Sequence, residues 1–379
     1  MLINQLAVLV SLPWVASHVS VGTFGFVATG LMMIQVAWIV GEWGLMSYVA
    51  EVWPHYRTRR DKNNLISVCL TLQFFLVLSV LIVSGALIGF KVISLPWAYF
   101  YCLIPSAVFG GIFPLWFYHT NKKVHELFRM TLITRLTYLV LIFGLVNQEA
   151  RAHWFFLIHG LSFTTITLYS LHRIIHRHKF SLCTFTSKEI GSLLSKASPY
   201  FLTSITTNQI NTFWGLTLLV GGGPIAIAYF NIADQVYRAG NAISMAAAQV
   251  TRVNVRRVSL FRAWMTVWPQ AGLSVLLGAL GIFIADDLVA IFFPEPYHAA
   301  LSSIRWMIAA LSIQSCIKLF GYPILGKIIS LEEVNHLSAV LLFGHLVLMV
   351  TWLIASRDLA VLLYLFVGMS CVHLAYFLW

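Results

Sequence analysis

The chain has 379 residues, of which 59% are hydrophobic and 10% are charged, and its mean hydropathy is +0.84. This composition excludes a soluble globular protein and indicates a polytopic membrane protein. The formal net charge of +11 does not indicate nucleic-acid binding, because the basic residues fall in short loops between apolar runs, as membrane topology requires. The five cysteines are scattered without paired spacing, which argues against a disulfide or zinc framework.

Repeated apolar runs of about 20 residues predict transmembrane α-helices, because a helix satisfies its own backbone hydrogen bonds in lipid. We predict an all-α fold of twelve spans, in two six-helix lobes around a central cavity. The longest loop separates an N-terminal lobe, residues 1–182, from a C-terminal lobe, residues 183–379. The predicted spans are residues 3–18, 22–50, 65–90, 94–118, 128–147, 151–171, 197–220, 224–249, 263–285, 301–326, 335–355 and 358–378.

Basic residues are concentrated in the loops that follow the even-numbered spans. The opposite loops contain few, among them Lys91, Arg151 and Arg357. Because Lys and Arg are retained on the cytoplasmic side, this asymmetry predicts that both termini are cytoplasmic. The basic residues that carry the prediction are Arg57, Arg59, Arg60, Lys62, Lys122, Lys123, Arg129, Arg173, Arg177, Lys179, Lys188, Lys196, Arg252, Arg256, Arg257 and Arg262.

Span 2 places Gln35, Trp38 and Glu42 on one helical face. A carboxylate inside the membrane can take up and release a proton as its surroundings change, so Glu42 is a candidate ion-coupling residue. The alternative is that Glu42 makes a structural hydrogen bond to a neighbouring helix.

Two further cations lie within predicted spans, Arg135 in span 5 and Lys318 in span 10. Buried cations are suited to attracting an anionic substrate. For Arg135 there is an alternative, because its long side chain can extend towards the membrane surface near Arg129.

Span 7 places Ser204, Thr207, Asn208 and Asn211 along one face. Uncharged hydroxyl and amide groups suit the hydroxyls of a sugar. The same residue types also bond commonly between transmembrane helices, and that structural alternative stays open.

Span 8 contains an acid and a base four residues apart, Asp234 and Arg238, with Asn231 and Asn241 on the same face. A charge near the middle of the bilayer costs about 2.5 to 3.5 kcal/mol on insertion scales, and such residues commonly mark a transport pathway. We therefore interpret this face as a binding or coupling site. The alternative is a self-neutralised pair that holds helices together.

Other patterns do not support catalytic or metal chemistry. The triple glycine at residues 221–223 lacks the Lys-Ser or Lys-Thr pair of a P-loop, so no ATPase is predicted. His172, His176 and His178 have the spacing of metal ligands, but they lie in a basic loop without Cys or acidic partners, which favours a solvated loop.

Several stretches carry a resemblance to a known family. Residues 21–51 (VGTFGFVATGLMMIQVAWIVGEWGLMSYVAE), 113–129 (FPLWFYHTNKKVHELFR), 228–233 (AYFNIA) and 290–310 resemble, in this order and with twelve spans, the Wzx-type flippases of bacterial polysaccharide synthesis. These flippases belong to the multidrug/oligosaccharidyl-lipid/polysaccharide exporter (MOP) superfamily.

The resemblance implies a non-enzymatic transporter of the bacterial inner membrane. It would flip undecaprenyl-pyrophosphate-linked oligosaccharide from the cytoplasmic to the periplasmic leaflet by alternating access, for O-antigen or other surface polysaccharide. Its partners would be the lipid-linked substrate, membrane lipids, and a polysaccharide polymerase and chain-length proteins, but no nucleic acid. It would need no cofactor beyond a coupling H⁺ or Na⁺.

Combined with the residue patterns, the resemblance predicts a set of site residues. Asp234 and Glu42 are the expected ion-coupling residues. The expected substrate-binding residues are Arg238, Lys318, Arg135, Asn208, Asn211, Asn231 and Gln35. Two alternatives remain, a cation-coupled drug antiporter of the same fold and a membrane glycosyltransferase or polymerase of the same pathway.

Overall fold

The computed structural model describes residues 2–255, 258–324, 328 and 331–378. These residues form an all-α protein without a β-strand, which confirms the predicted fold class. The α-helices are α1 (Leu2–His18), α2 (Val21–Glu42), α3 (Leu45–Val52), α4 (Arg59–Gly89), α5 (Trp97–Gly111), α6 (Leu115–Thr120), α7 (His125–Leu145), α8 (Trp154–His172), α9 (Ser187–Ser204), α10 (Ile210–Gly221), α11 (Gly223–Val255), α12 (Leu260–Phe283), α13 (Ala285–Phe292), α14 (Leu301–Ile324), α15 (Leu331–Ala355) and α16 (Leu359–Leu378).

Within the described ranges, nine helical segments are long and apolar enough to cross a membrane, and they coincide with predicted spans 2 to 6 and 9 to 12. The chain is thus a multi-pass membrane protein. Two shorter apolar helices, Leu6–His18 and Ile210–Gly221, overlap predicted spans 1 and 7. The helix at span 8, α11, has 33 residues but a more polar composition, because it carries the acid and the base noted above.

Three predicted spans consist of two consecutive helices each. Span 2 is α2 followed by α3, and span 4 is α5 followed by α6. Predicted span 7 begins inside α9, whose first residue, Ser187, lies ten residues before the predicted start, and it continues through a π-helical turn, Ile205–Gln209, into α10. Pro114 precedes the first residue of α6, where a missing backbone N–H is tolerated. These interruptions are local features that hydropathy does not reveal.

The helices group into two compact units. The first unit is Phe26–Ser204, and the second consists of Met1–Gly25 and Ile205–Trp379. The division predicted from the sequence, between residues 182 and 183, is of a different kind: it separates two lobes that move during transport. That division stays a prediction, and so does the cavity between the lobes.

A buried glutamine organises the interior of the first unit. The amide of Gln73 on α4 donates to the carbonyl of Gly111 at 3.0 Å and accepts from the Trp116 indole at 2.9 Å. Tyr118 donates to the carbonyl of Ser170 at 2.8 Å. These bonds satisfy polar groups that lipid cannot satisfy, and they join α4, α5, α6 and α8.

In the second unit α11 is central, since it packs against α1, α10 and α14. The first residues of the chain contact the segment just before α14, which contains Tyr297. Phe24 meets the ring of Tyr297 edge to face at 5.4 Å, and the Tyr297 hydroxyl donates to the carbonyl of Val19 at 3.4 Å. Gly25 lies so close to Pro224 that a Cβ would collide with its carbonyl.

Candidate functional site

The acid and the base of α11 form a salt bridge inside the second unit. Asp234 and Arg238 lie one helical turn apart, and Nε of Arg238 donates to Oδ2 of Asp234 at 2.6 Å. Asp234 is 0% exposed and Arg238 is 9% exposed. A buried charge pair needs further hydrogen bonds to offset the lost hydration, so the partners around it matter.

Those partners come from the first turn of α10. The amide nitrogen of Asn211 donates to Oδ1 of Asp234 at 2.5 Å, and Nη2 of Arg238 donates to the Thr212 hydroxyl at 2.6 Å. Asn211 and Thr212 are consecutive residues, so one turn of α10 contacts both charges. The result is a four-residue network that links α10 to α11.

Unpartnered amide groups surround this network. Asn231, one turn before Asp234, is completely buried, and within the described chain neither its oxygen nor its nitrogen has a hydrogen-bond partner. The same holds for Oδ1 of Asn211 and Nε2 of Gln235. A buried polar group without a partner costs about 1 to 3 kcal/mol, so these atoms are available to a ligand or to water.

Lys318 of α14 lies on the same side of α11. Its ammonium donates to the Asn241 side chain, and beside this contact the hydroxyls of Ser244 and Ser315 are 2.7 Å apart. Arg238 and Asn241 are three residues apart on α11, a spacing that makes their side chains neighbours. Five of the predicted site residues thus lie on α11 and on two helices packed against it, α10 and α14. They are Asn211, Asn231, Asp234, Arg238 and Lys318.

Arg135 belongs to the first unit and is buried, with 2% of its surface exposed. Its guanidinium lies over the ring of Phe163 at 4.2 Å and near Tyr138 at 5.7 Å. The alternative, in which this side chain extends outward, is therefore wrong, because aromatic faces hold the cation inside the helix bundle.

A buried histidine that sequence patterns did not identify lies near Arg135. His159 of α8 is within 2.6 Å of the Ser106 hydroxyl, and its ring stacks on Trp38 at 5.8 Å. The Trp38 indole in turn donates to the carbonyl of Ser106 at 3.0 Å. The sequence places Trp38 only on the same helical face as Gln35 and Glu42, because its contacts with α5 and α8 depend on tertiary packing.

Glu42 lies at the break between α2 and α3. Its carboxylate accepts the backbone N–H groups of Gly44 at 3.1 Å and Met46 at 2.6 Å. Glu42 thus acts as a helix cap, because it accepts hydrogen bonds from backbone N–H groups at the start of α3 that have no partner within the helix. Whether Glu42 also couples ions stays a prediction. On the same helix, Oε1 of Gln35 has no partner within the described chain, and the Asn208 side chain lies outside the described residues.

Of the three histidines with the spacing of metal ligands, His172 and His176 are exposed, as predicted, whereas His178 is partly buried against the first unit. Nε2 of His178 lies 3.2 Å from the Glu126 carboxylate, and Nδ1 lies 2.9 Å from the Lys123 ammonium. Burial lowers the pKa of His178, and the charge of Lys123 lowers it further. No group of three or more His, Cys, Asp or Glu side chains suited to a metal occurs among the described residues.

Known proteins of similar structure are membrane transporters and flippases. The lipid II flippase MurJ, in an inward closed conformation, matches with a TM-score of 0.77 at 12% identity, over 99% of this chain and 86% of that one. A multidrug resistance MATE family transporter of the MOP superfamily matches in its inward-facing conformation with a TM-score of 0.70 at 16% identity, over 100% and 93%. An outward-facing MATE structure matches with a TM-score of 0.66 at 17% identity, over 100% and 91%.

No protein-family model and no curated protein sequence matches the chain. At these sequence identities the structural similarity establishes the fold. The resemblance to MOP-superfamily flippases, expected from the sequence, is confirmed at this level: the chain has the fold of MurJ and of the MATE transporters.

Proposed function

We propose that the chain is a flippase for an anionic, lipid-linked oligosaccharide. One observation carries the proposal. A buried arginine, Arg238, is held by one carboxylate and one hydroxyl, beside buried amides that have no partner within the described chain. A purely structural ion pair has no need of orphaned amides next to it.

The chemistry of this site suits a phosphate group followed by sugars. The planar guanidinium of Arg238 can bind a phosphate through two parallel hydrogen bonds, and Lys318 supplies a second cation nearby. The amides of Asn231 and Gln235 can bond sugar hydroxyls, each of which costs about 2 to 7 kcal/mol if it loses its hydrogen bonds without replacement.

The similarity to MurJ, which is described as a lipid II flippase, supports a lipid-linked substrate for this chain. We infer undecaprenyl-pyrophosphate-linked oligosaccharide units, moved by alternating access from the cytoplasmic to the periplasmic leaflet of the bacterial inner membrane. The product would serve O-antigen or other surface polysaccharide synthesis, where a polymerase and chain-length proteins act next. Both termini would be cytoplasmic, and the protein would catalyse no covalent reaction.

Asp234 offers a way to couple this movement to an ion. A phosphate that takes over Arg238 leaves the Asp234 carboxylate buried without its cation, and an uncompensated buried charge costs about 3 to 5 kcal/mol. A proton or a sodium ion would neutralise it. Substrate and coupling ion would therefore bind together, with H⁺ or Na⁺ as the only cofactor.

A second function, cation-coupled drug export, is favoured by the similarity to MATE multidrug transporters. Its substrate would be an organic cation that pairs with Asp234. An alternative of another class is a membrane glycosyltransferase or polymerase, which would turn over lipid-linked sugar in detergent, where there is no leaflet to cross.

The test uses purified protein in liposomes that contain fluorescent pyrophosphate-linked oligosaccharide lipid, with leaflet exchange as the readout. We expect the double variant Asp234→Asn, Arg238→Gln to insert normally and to lose flipping. The matched control is Asp286→Asn, Arg305→Gln, which neutralises an exposed ion pair of the same unit and should flip normally. Normal flipping by the first double variant would contradict the site. Tight binding of organic cations without binding of the pyrophosphate lipid would favour drug export.

A further inference from the structure

A second buried polar contact in the second unit joins α10 to α15. The indole Nε1 of Trp214 lies 3.2 Å from Nδ1 of His345, with the two rings nearly perpendicular. Both side chains are completely buried. Within the described chain, the other ring nitrogen of His345, Nε2, has no hydrogen-bond partner.

This contact determines which nitrogen of His345 carries the proton. An indole N–H can only donate a hydrogen bond, so Nδ1 of His345 must be the acceptor. The neutral imidazole therefore carries its proton on Nε2. A second proton can bind only at Nδ1, and the N–H formed there would face the N–H of Trp214. Protonation of His345 and the bond from Trp214 are mutually exclusive.

The surroundings of His345 contain one other titratable group of the interior. The elements packed against α15 are α10, the π-helical turn Ile205–Gln209 and α16. Neither α10 nor the turn contains a charged residue. From α16 comes the buried His373, whereas Tyr364, Cys371 and Tyr376 of that helix are exposed.

Trp214 connects His345 to the site around Arg238. It lies two residues after Thr212 and three after Asn211, so all three belong to the first turns of α10. Asn211 and Thr212 hold the charges of α11, while Trp214 holds α15. A change at Trp214 therefore acts on the helix that positions both partners of the ion pair.

We propose that His345 is a proton-binding latch between α10 and α15. One proton adds to Nδ1, the neutral imidazole becomes an imidazolium with an N–H on each nitrogen, and the hydrogen bond from Trp214 breaks. Trp214 keeps its own proton, and no other bond forms or breaks. Release of α10 then loosens the contacts of Asn211 and Thr212 with Asp234 and Arg238. The coupling to transport rests on the function proposed above, whereas the latch itself does not.

The latch can be tested without any substrate. Protein labelled with fluorotryptophan, in lipid nanodiscs, is examined by fluorine NMR, and the Trp214 resonance is identified by its absence in Trp214→Phe. We expect this resonance to shift on acidification, at a pH below the range in which an exposed histidine takes up a proton, because burial disfavours the charged imidazolium. In His345→Asn the amide oxygen replaces Nδ1 as acceptor but cannot be protonated, so the shift should be lost. His336→Asn, an exposed histidine of the same helix, is the matched control and should keep the shift.

Transport provides the second readout. A proton gradient should stimulate flipping of pyrophosphate-linked oligosaccharide lipid by wild type and by His336→Asn, and His345→Asn should lose that stimulation. A Trp214 resonance that ignores pH, or one that still titrates in His345→Asn, would overturn the latch. Unaltered stimulation in His345→Asn would overturn its coupling to transport. The Trp214 resonance could shift with pH in wild type but not in His345→Asn, while the protein flips no lipid. This result would support the latch and overturn the proposed function.

Discussion

Trp43 stacks on Phe201 with ring centroids 3.9 Å apart, and its indole also donates to the carbonyl of Leu194 at 3.2 Å. This contact fixes the break between α2 and α3 against α9. The break contains Trp43 and Gly44, both in the left-handed region, with φ values of 40° and 71°. Glu42 caps the helix that follows, so the joint between α2 and α3 is bonded on both sides.

The first prediction concerns Gly44. A Cβ at this position would lie 2.5 Å from the backbone nitrogen of Phe201 and 2.9 Å from the carbonyl oxygen of Ala197. The left-handed conformation alone costs a non-glycine residue about 1 to 2 kcal/mol. We expect Gly44→Ala to lower the melting temperature in detergent clearly. Gly191→Ala is the control, because Gly191 has open space around it on α9. Equal melting temperatures for the two variants would contradict the close approach of Gly44 to α9.

The second prediction concerns the contribution of the salt bridge between Asp234 and Arg238 to the stability of the protein. Asp234→Asn or Arg238→Gln alone leaves one buried charge without its partner, which costs about 3 to 5 kcal/mol. The double change should recover most of that loss, because the introduced amides still bond Asn211 and Thr212. Thermal unfolding in detergent measures it. Asp286→Asn, in the exposed pair, should change the stability by less than about 1 kcal/mol. A double variant as unstable as the sum of the single variants would argue against direct pairing.

The third prediction concerns Glu42. A role as a helix cap and a role in ion coupling predict different effects of substitution at this residue. Glu42→Gln keeps one oxygen that can accept a backbone N–H, but it replaces the other acceptor with an amide donor and removes the charge. If Glu42 acts only as a cap, this variant should lose about 1 to 3 kcal/mol of stability, because one backbone N–H loses its acceptor, and should keep its response to an ion gradient. We expect Glu42→Ala to be less stable than Glu42→Gln. Loss of gradient-stimulated flipping in Glu42→Gln, at normal abundance, would assign an ion-coupling role.

The fourth prediction is a pH dependence of stability from His178. Its pKa in the folded protein is lowered, so the unfolded chain binds the proton more readily. The neutral form also suits the site, because Lys123 donates to Nδ1 and the proton on Nε2 faces Glu126. Stability is therefore highest above the unfolded pKa of about 6.5 and falls as the pH falls through that value towards the folded pKa. His178→Gln should flatten this part of the curve, whereas the exposed His176→Gln should not.

Much of the helix order was predictable because apolar length and the distribution of Lys and Arg depend on local sequence. The Asp234–Arg238 salt bridge was predictable for the same reason, since residues four apart on a helix are neighbours. The break at Gly44 was not, because one glycine in an apolar run is a weak signal and the left-handed backbone depends on packing against α9.

Contacts between distant segments were also beyond the sequence. Thr212 and Gln235 lie beside residues identified from the sequence, yet only the approach of α10 to α11 shows that Thr212 binds Arg238. His345 meets Trp214 across 131 residues of chain, and His159 meets Ser106 across 53. A single histidine in an apolar span has no periodic partner that would reveal such a contact.

The loop between α8 and α9 has a mechanical consequence. Its backbone N–H groups at Ser181 and Cys183 bond the side chains of Asn63 and Ser67, and Arg59 donates to the carbonyls of His178 and Lys179. The loop between α8 and α9, the longest connection in the chain, is therefore held against α4 by hydrogen bonds. A protease must first detach it from α4 before it can cleave at Lys179, so trypsin should cut this basic segment slowly in the folded protein.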